Sequence, residues 1–253
     1  MTLVALNSEA VILRTYPLKE SDKLIVLFSQ NYGKIRGVVK GCRRIRSRFS
    51  GRLEPLSWVE FSGYERKNQD LVSIDNVEVL KGFGFALEDY STFLRSSYLL
   101  EVITKTLPDR EINKNLFRLL LHVLPAFVKI KTSQLALLYF QVWHLKLGGF
   151  FPDLYHCCQC GNEFGGSAMI YCEIKSQGFI CKNCKHGMAR QISVESMRVL
   201  ERLTKKSLAD LLREIQLSKV LNELNNLIEE LMEISYEKKF NSLLVLKQEV
   251  GGL

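Results

Sequence analysis

The sequence has no segment that would cross a membrane and no recognisable export signal. Its most apolar stretch, Leu135 to Phe151, is interrupted by Gln141, His144 and Lys146, whereas a membrane helix needs about 18 or more apolar residues in succession. The residues from Met1 to Asn7 carry no positive charge ahead of their short apolar run. We therefore expect a cytoplasmic protein with no membrane partner.

The common motifs of phosphate-binding, metalloprotease and serine-hydrolase sites are also absent. The chain contains no G-x-x-x-x-G-K-[ST], H-E-x-x-H or G-x-S-x-G pattern. Gly82-Phe83-Gly84 lacks the third glycine of a dinucleotide-binding loop, and His122 and His144 lie in apolar segments typical of core helices. The sequence therefore predicts no catalytic residues and no enzymatic activity.

Acidic residues are missing from one part of the chain, and that part holds the excess positive charge. The sequence has 35 Lys+Arg and 27 Asp+Glu residues, a formal net charge of +8. No carboxylate occurs between Lys34 and Arg52. The basic residues of this segment are Lys34, Arg36, Lys40, Arg43, Arg44, Arg46, Arg48 and Arg52. They account for the whole excess, so a neutral body carries one basic segment, which indicates a polyanionic partner.

We predict that this basic segment contacts nucleic acid. Arginine predominates in it, and guanidinium groups bind phosphate oxygens bidentately. Phe49 within the segment is included as a stacking residue, with Tyr32 as a second possible platform and barrel core as the alternative place for both rings. No helix carries the charge, so binding should depend steeply on salt and carry little sequence information. A solvated loop with incidental charge is the alternative interpretation.

The first 80 residues favour short strands. The strand-like segments are Ala10–Arg14, Leu24–Ser29, Gly33–Val39, Leu56–Tyr64 and Leu71–Val79. A change of alternation near Asn76 predicts a β-bulge in the last of them. Five strands without a helical period indicate a small barrel or sandwich. A five-stranded OB-type barrel is the most economical choice, although an SH3-like barrel fits the pattern as well.

After Leu80 the apolar period changes to that of helices. The predicted helices are Asp89–Leu107, Asn115–Leu124, Ser133–Leu147, Val194–Leu203, Ser207–Ile215 and Ser218–Ile234, with Ser133 as an N-cap. We therefore expect an α+β multidomain protein. Its predicted parts are an OB-fold nucleic-acid-binding domain at 1–80, a helical domain at 81–150 and 191–253, and a zinc-binding insert at 151–190.

The insert contains two C-x₂-C pairs separated by 20 residues. Two such turns can surround one tetrahedral ion with four sulfur atoms, so we predict one structural Zn²⁺ held by Cys157, Cys160, Cys181 and Cys184. Cys158 could replace Cys157 only through a less common C-x-C turn. Cys42 and Cys172 are expected to be packing residues, and His156 and His186 are not needed, because four sulfurs already close the site.

Several motifs in chain order resemble the RecO family of bacterial DNA repair and recombination mediators. They are Ala10-Val11-Ile12-Leu13-Arg14, Glu20-Ser21-Asp22-Lys23-Leu24, Tyr32-Gly33-Lys34, Gly37-Val38-Val39-Lys40-Gly41, Arg43-Arg44, Ser47-Arg48-Phe49, Leu53-Glu54-Pro55, Gly148-Gly149-Phe150-Phe151-Pro152-Asp153-Leu154, Cys157-x-x-Cys160-Gly161 and Gly178-Phe179-Ile180-Cys181-x-x-Cys184. Gln177 departs from the family's usual Gly-Gly pair, and we expect this to leave the metal unaffected.

The resemblance implies an N-terminal OB-fold, a helical C-terminal domain with a zinc module, and a mediator that is not an enzyme. It implies binding to single- and double-stranded DNA, strand annealing, and work with RecR to load RecA onto strands coated by single-stranded-DNA-binding protein. The acidic C-terminal tail of that coating protein would bind an apolar groove with basic residues. Lys205 and Lys206 are considered for that groove, with a solvated helix end as the favoured alternative. The location would be cytoplasmic, at the nucleoid.

Three other functions fit the residues less well. A basic OB barrel with a zinc module would suit RNA or a ribosome-associated role, a zinc-stabilised scaffold would use the basic segment to hold an acidic protein, and an enzyme with a structural zinc lacks any motif. Relative affinity for DNA, RNA and protein partners separates them.

Overall fold

The computed structural model describes residues 3–66, 70–83, 89–128, 130–165, 169–174, 176–187, 189–214 and 219–250. The chain divides into two compact units, one formed by 1–130 with 240–253 and the other by 131–239. Among the described residues, no helix combines the length and the apolar character that a membrane span requires. The domain boundaries drawn from the sequence remain a prediction.

Five strands form a closed barrel in the first unit. They are β1 (Leu3–Leu18), β2 (Asp22–Ser29), β3 (Gly33–Val39), β4 (Trp58–Arg66) and β5 (Leu71–Lys81). The order is β1-β2-β3-β5-β4, and β4 closes the barrel against β1. Strand β3 pairs with β5 in parallel and the other pairs are antiparallel. This arrangement confirms the predicted OB-type barrel.

Irregularities bend the long strands around the barrel. Strand β1 shifts register between Ile12 and Arg14, which lets one strand pair with both β2 and β4. The predicted bulge in β5 is confirmed, since Ser62 pairs with Asn76 but Gly63 pairs with Ile74. The barrel core is mainly aliphatic, with Phe61 among its strand residues, and it also includes Cys42, Phe49 and Leu53 from the segment between β3 and β4.

Three helices accompany the barrel in the first unit: α1 (Tyr90–Thr106), α2 (Lys114–Val123) and, from the end of the chain, α7 (Asn241–Val250). Asp89 and Asn113 cap the first two by accepting hydrogen bonds from backbone N–H groups. The sequence did not predict α7. Its first N–H groups are satisfied by the buried Glu101 carboxylate of α1, which accepts bonds from Asn241 and Ser242.

The second unit contains helices and a small sheet. Its elements are α3 (Ile130–Leu147), β6 (Ile170–Glu173), β7 (Gly178–Cys181), β8 (Arg190–Ile192), α4 (Val194–Lys205), α5 (Leu208–Glu214) and α6 (Lys219–Ser235). The predicted N-cap at Ser133 is wrong, because the backbone is already helical from Ile130 and Ser133 lies buried inside the helix. Gly84, Ile215 and Ser218, which belong to sequence predictions, lie outside the described residues.

Candidate nucleic-acid interface and metal centre

Residues 40–52, here called the basic loop, connect β3 to the segment before β4 as a series of tight turns. Backbone hydrogen bonds of 3.0–3.3 Å close the turns; the donor–acceptor pairs are Arg44–Gly41, Ser47–Arg44, Ser50–Ser47 and Arg52–Phe49. Gly41 and Gly51 have φ of +65° and +69°, the left-handed region that glycine enters without a Cβ clash. The Asp22 carboxylate accepts the Gly41 N–H at 2.9 Å and fixes the start of the loop.

Apolar side chains of the loop and the segment after it attach the loop to the barrel core. Cys42, Phe49 and Leu53 belong to the core cluster of the barrel, so the prediction that Cys42 is a packing residue is confirmed. Phe49 is only 5% exposed. Its position therefore does not support the prediction that it stacks on a base, because the ring is already used in the core. Tyr32 also packs against this core, with its ring 6.5 Å from that of Phe61.

The cations of the basic loop are open to solvent, although the Arg48 guanidinium also lies over the Phe49 ring, 4.9 Å from its centroid. Lys40, Arg43, Arg44, Arg46, Arg48 and Arg52 are all exposed. Three of them donate hydrogen bonds to backbone carbonyls, Arg43 to Lys19, Arg48 to Asp75 and Arg52 to Val77. None of the six forms an ion pair with a carboxylate within the part of the chain that the structure describes. The loop thus presents uncompensated positive charge on an internally bonded frame.

Lys34 and Arg36 differ from the cations of the basic loop because both form ion pairs. Both pair with Asp109 at 3.1 Å, and the Lys34 ammonium also donates to the carbonyl of Thr104 at 2.7 Å. The Lys34 side chain is 12% exposed, whereas that of Arg36 is 58% exposed. Lys34 therefore links the barrel to the end of α1, and the eight basic residues of the sequence prediction form two groups.

The four predicted metal ligands come together in the second unit. The sulfur atoms of Cys157, Cys160, Cys181 and Cys184 all lie within 4.8 Å of one another. The Cys160 and Cys181 sulfurs are 3.9 Å apart, which matches the edge of about 3.8 Å expected for a tetrahedron with metal–sulfur bonds of about 2.3 Å. Four thiol groups at this spacing fit a tetrahedral soft-metal site.

Two short turns position these sulfurs. In the first, the Gly161 N–H donates to the Cys157 carbonyl at 2.8 Å with φ of +74° at the glycine. The second follows β7, where a 3₁₀ turn (Lys182–Cys184) carries Cys184. Strand β7 also holds the first turn, because Cys158 donates its N–H to the Phe179 carbonyl at 2.9 Å. Strand β7 thus holds the two C-x₂-C turns next to each other, so that their four sulfur atoms form one cluster.

The protonation of the cluster favours a bound cation. Burial disfavours the Cys157 thiolate, but backbone N–H groups of Cys160, Cys181 and Gln159 outweigh it and lower the pKa to about 6. The Cys160 and Cys181 thiols raise the pKa of Cys184 to about 12 through hydrogen bonds. Four sulfurs cannot all ionise side by side, and a divalent cation removes that conflict by favouring the thiolate at each.

The remaining candidates near the cluster have other roles. Cys158 is exposed and lies outside the four-sulfur group, and Cys172 is buried, with a pKa that burial raises to about 12. His156 pairs through Nδ1 with Asp153 at 2.9 Å, and His186 is exposed. None of these four belongs to the group of described residues that could hold a metal.

Lys205 and Lys206 are engaged by their own chain. Lys205 pairs with Glu201 at 2.6 Å and Lys206 with Glu214 at 2.7 Å. These pairs are typical of a solvated helix end, the alternative that the sequence favoured.

A groove of about 580 Å³ lies in the first unit between β1, the segment before β4, and helices α1 and α7. Its lining includes the apolar side chains of Leu13, Phe93 and Leu100, and Arg14 lies beside them. Phe93 is 39% exposed, so part of this apolar surface is open. The sequence contained no signal for the groove, because its walls come from segments far apart in the chain.

The chain combines a basic OB-type barrel, helices and a four-cysteine cluster, and these features define a class of multidomain proteins. Comparison with known sequences identifies the family within that class. The profile described as Recombination protein O N terminal matches residues 1–83, and that described as Recombination protein O C terminal matches residues 87–244. The DNA repair protein RecO of Koribacter versatilis is 35% identical over 240 residues, covering 95% of this chain and 97% of that relative. The DNA repair protein RecO of Clostridium novyi is 29% identical over 239 residues, covering 94% and 91%. The chain therefore belongs to the RecO family of DNA repair proteins.

Proposed function

We propose that this protein is a non-enzymatic recombination mediator that binds single- and double-stranded DNA and anneals complementary strands. The observation that carries the proposal is the basic loop, whose six exposed cations have no carboxylate partner among the described residues. Clustered like charges repel, so a polyanion that neutralises them is favoured. Neutralising the phosphates of two strands lowers their mutual repulsion, and the bases then pair without the protein reading sequence. This chemistry belongs in the cytoplasm, at the nucleoid.

Within this proposal, Lys40, Arg43, Arg44, Arg46, Arg48 and Arg52 make the principal phosphate contacts. Arg36 is a peripheral contact, since it is exposed but already shares Asp109 with Lys34. Lys34 and Phe49 have structural roles instead, Lys34 through its ion pair with Asp109 and Phe49 in the barrel core.

The cysteine cluster holds one structural Zn²⁺ through Cys157, Cys160, Cys181 and Cys184. A closed four-sulfur site leaves no position for a reacting water, so the ion folds the module and performs no chemistry. The module needs such help because its own core cluster contains only three buried residues among those described: Cys157, Tyr171 and Ile180.

The protein works with RecR to load RecA onto strands coated by single-stranded-DNA-binding protein, and contacts the acidic C-terminal tail of that coating protein. The groove beside Arg14 supports this partner, because an apolar lining with a neighbouring cation suits a peptide that carries apolar and acidic residues. Glu54 and Glu101 also line the groove, but each is paired with a lysine of this chain. Replacing Phe93 by Asp should abolish binding of a tail peptide, measured by anisotropy. Unchanged affinity would place the tail elsewhere.

The test of DNA binding compares two variants that remove equal charge. One replaces Arg43, Arg44, Arg46 and Arg48 by Ala. The control replaces the exposed Lys114, Arg118, Arg198 and Arg213, which lie on helices. Affinity for a labelled single strand and the rate of annealing should fall by more than about tenfold in the loop variant and little in the control, because the loop makes the principal phosphate contacts and the control cations make none. Equal behaviour of the two variants would refute the loop as the interface.

The same assay addresses the rival functions. A single strand of RNA matched in sequence should bind no tighter than DNA, since a reader of the 2′-hydroxyl would prefer RNA. Binding to an acidic protein without any binding to oligonucleotides would select the scaffold function instead.

A further inference from the structure

A recess that the sequence did not indicate opens on the outer face of the barrel. It has a volume of about 220 Å³ and lies across β3, β5 and β4, in the first unit. Tyr64 and Arg66 of β4, Leu71 of β5 and Lys40 just after β3 line it. Lys40 is also the first residue of the basic loop, so the recess continues that surface.

Strand register brings these side chains together. Ser73 pairs with Val38 on one side and with Tyr64 on the other, so three half-buried residues form a row across the strands. Arg66 follows Tyr64 by two positions, and residues two apart on a strand point to the same face. The backbones approach closely at Gly63, where a Cβ would lie 2.3 Å from the Ser73 carbonyl oxygen. The recess is therefore set by the barrel itself.

Its chemistry combines an aromatic ring, an open apolar side chain and positive charge. Tyr64 is half-buried, and Leu71 is 42% exposed. Arg66 and Lys40 are exposed, and neither forms an ion pair with a carboxylate that the structure describes. Among the residues that the structure describes, none of those lining the recess is acidic. Aromatic faces stack on bases of any type, and neighbouring cations hold the backbone phosphates.

We propose that this recess seats one unpaired base of single-stranded DNA, stacked on Tyr64, with Arg66 and Lys40 at the flanking phosphates. The inference rests on the proposed DNA binding and adds a preference for single strands. A base within a duplex is already paired and stacked on its neighbours, so it cannot enter without unpairing. The basic loop then supplies affinity for any DNA, and the recess distinguishes single strands from duplex.

The experiment compares Tyr64→Leu, which keeps an apolar side chain but removes the ring, with Tyr64→Phe, which keeps the ring. Affinities for a labelled thymidine oligonucleotide and for a blunt duplex are measured by fluorescence anisotropy. Tyr64→Leu should weaken single-strand binding roughly 5- to 150-fold, the usual effect of losing one base–aromatic stack, and change duplex binding less than about twofold. Tyr64→Phe should bind like the unaltered protein.

A second variant and a control distinguish the loss of a DNA contact from a defect in folding. Arg66→Gln changes an exposed side chain and should lower the salt dependence of single-strand binding by about 0.7 in slope, one phosphate contact. Tyr90→Leu alters an exposed tyrosine of α1 that stacks on Phe93 and should leave both affinities unchanged. A 2-aminopurine placed in the oligonucleotide should be quenched by the unaltered protein and less so by Tyr64→Leu.

The outcomes separate the two proposals. If the unaltered protein binds no oligonucleotide, the proposed function fails and the recess with it. If removal of the loop arginines weakens binding but Tyr64→Leu does not, the recess alone is refuted. Equal losses for single strand and duplex in Tyr64→Leu would also overturn the inference, because they would indicate a contact common to all DNA.

Discussion

The basic loop gathers cations and the cysteine cluster gathers thiol groups, and among the described residues neither set is paired with groups of opposite charge. The two regions differ in the apolar core that supports each of them. The loop is anchored by Cys42, Phe49 and Leu53, which lie in a large barrel core. The cysteine module has a small core that includes one of its own candidate ligands, Cys157. We therefore expect the loop to keep its shape without DNA, and we expect the module to require the proposed zinc ion in order to fold.

The largest effect should follow loss of a metal ligand. Cys181→Ser should reduce bound zinc from about one ion per chain to less than roughly a tenth and unfold the module, because structural zinc contributes about 10 to 16 kcal/mol in small zinc domains. Cys158→Ser removes a cysteine outside the cluster and should retain the ion. Metal analysis with circular dichroism checks both. Full zinc content in Cys181→Ser would contradict the assigned ligands.

A smaller effect is expected from the carboxylate that holds α7 in the barrel unit. Burial disfavours ionisation of Glu101, but Lys105, Ser242 and Asn241 outweigh it and lower the pKa to about 2. Glu101→Gln should reduce the free energy of unfolding by about 2 kcal/mol at neutral pH, since a buried charged hydrogen-bond network is broken.

The pH dependence of this contribution has a definite sign. The Glu101 pKa is lowered on folding from its ordinary value of 4.5 to about 2, so its stabilisation is complete above about 4.5 and disappears as the pH falls through about 2. Glu101→Gln should therefore lose stability less steeply in that window when denaturant unfolding is followed against pH. The exposed Glu54, changed to Gln, is the control. Parallel curves for Glu101→Gln and the unaltered protein would contradict the assignment.

A still smaller effect concerns the turn before β7. Gln177 has φ of +49°, a left-handed conformation that costs a residue with a Cβ about 1 kcal/mol. Both Gln177→Gly and Gln177→Ala lose the hydrogen bond that the Ser235 hydroxyl donates to the Gln177 side chain, so the two variants are compared with each other. In the zinc-loaded protein, Gln177→Gly should have an unfolding free energy about 0.5 kcal/mol above that of Gln177→Ala, after the extra flexibility of glycine in the unfolded chain is counted. A melting temperature for Gln177→Gly below that of Gln177→Ala would show that the turn is not strained.

The smallest effect should come from the loop charges themselves. The Arg44 and Arg46 side chains make no hydrogen bond or ion pair with the residues that the structure describes. Replacing both by Ala should change the unfolding free energy by less than about 0.5 kcal/mol, as for other exposed positions. A large loss of stability would mean that these cations are structural, and the contrast with the cysteine module would fail.

Much of this architecture could be predicted from local patterns. The alternation of apolar and polar residues predicted five strands and the bulge near Asn76. The spacing of the two C-x₂-C pairs predicted the four cysteines that lie together in the structure. These signals are local, because each depends on neighbours within a few positions.

Contacts between distant parts of the chain could not be derived from the sequence. Phe49 packs in the barrel core and Lys34 forms an ion pair with Asp109. The start of α7 is capped by Glu101, which lies 140 residues earlier in the chain. The recess at Tyr64 depends on strand register, which a charge or apolar pattern does not reveal. Sequence reasoning therefore identified the charged surface but not which of its aromatic residues is accessible.

The central claim is that the cations of the basic loop meet phosphate, and salt dependence tests it most directly. Affinity for a single strand should fall linearly with the logarithm of salt concentration for the unaltered protein. Arg44→Ala with Arg46→Ala should make that slope shallower by about 1.4, the release of two phosphate contacts, while Lys114→Ala with Arg118→Ala should leave it unchanged. Identical slopes for all three proteins would contradict the account.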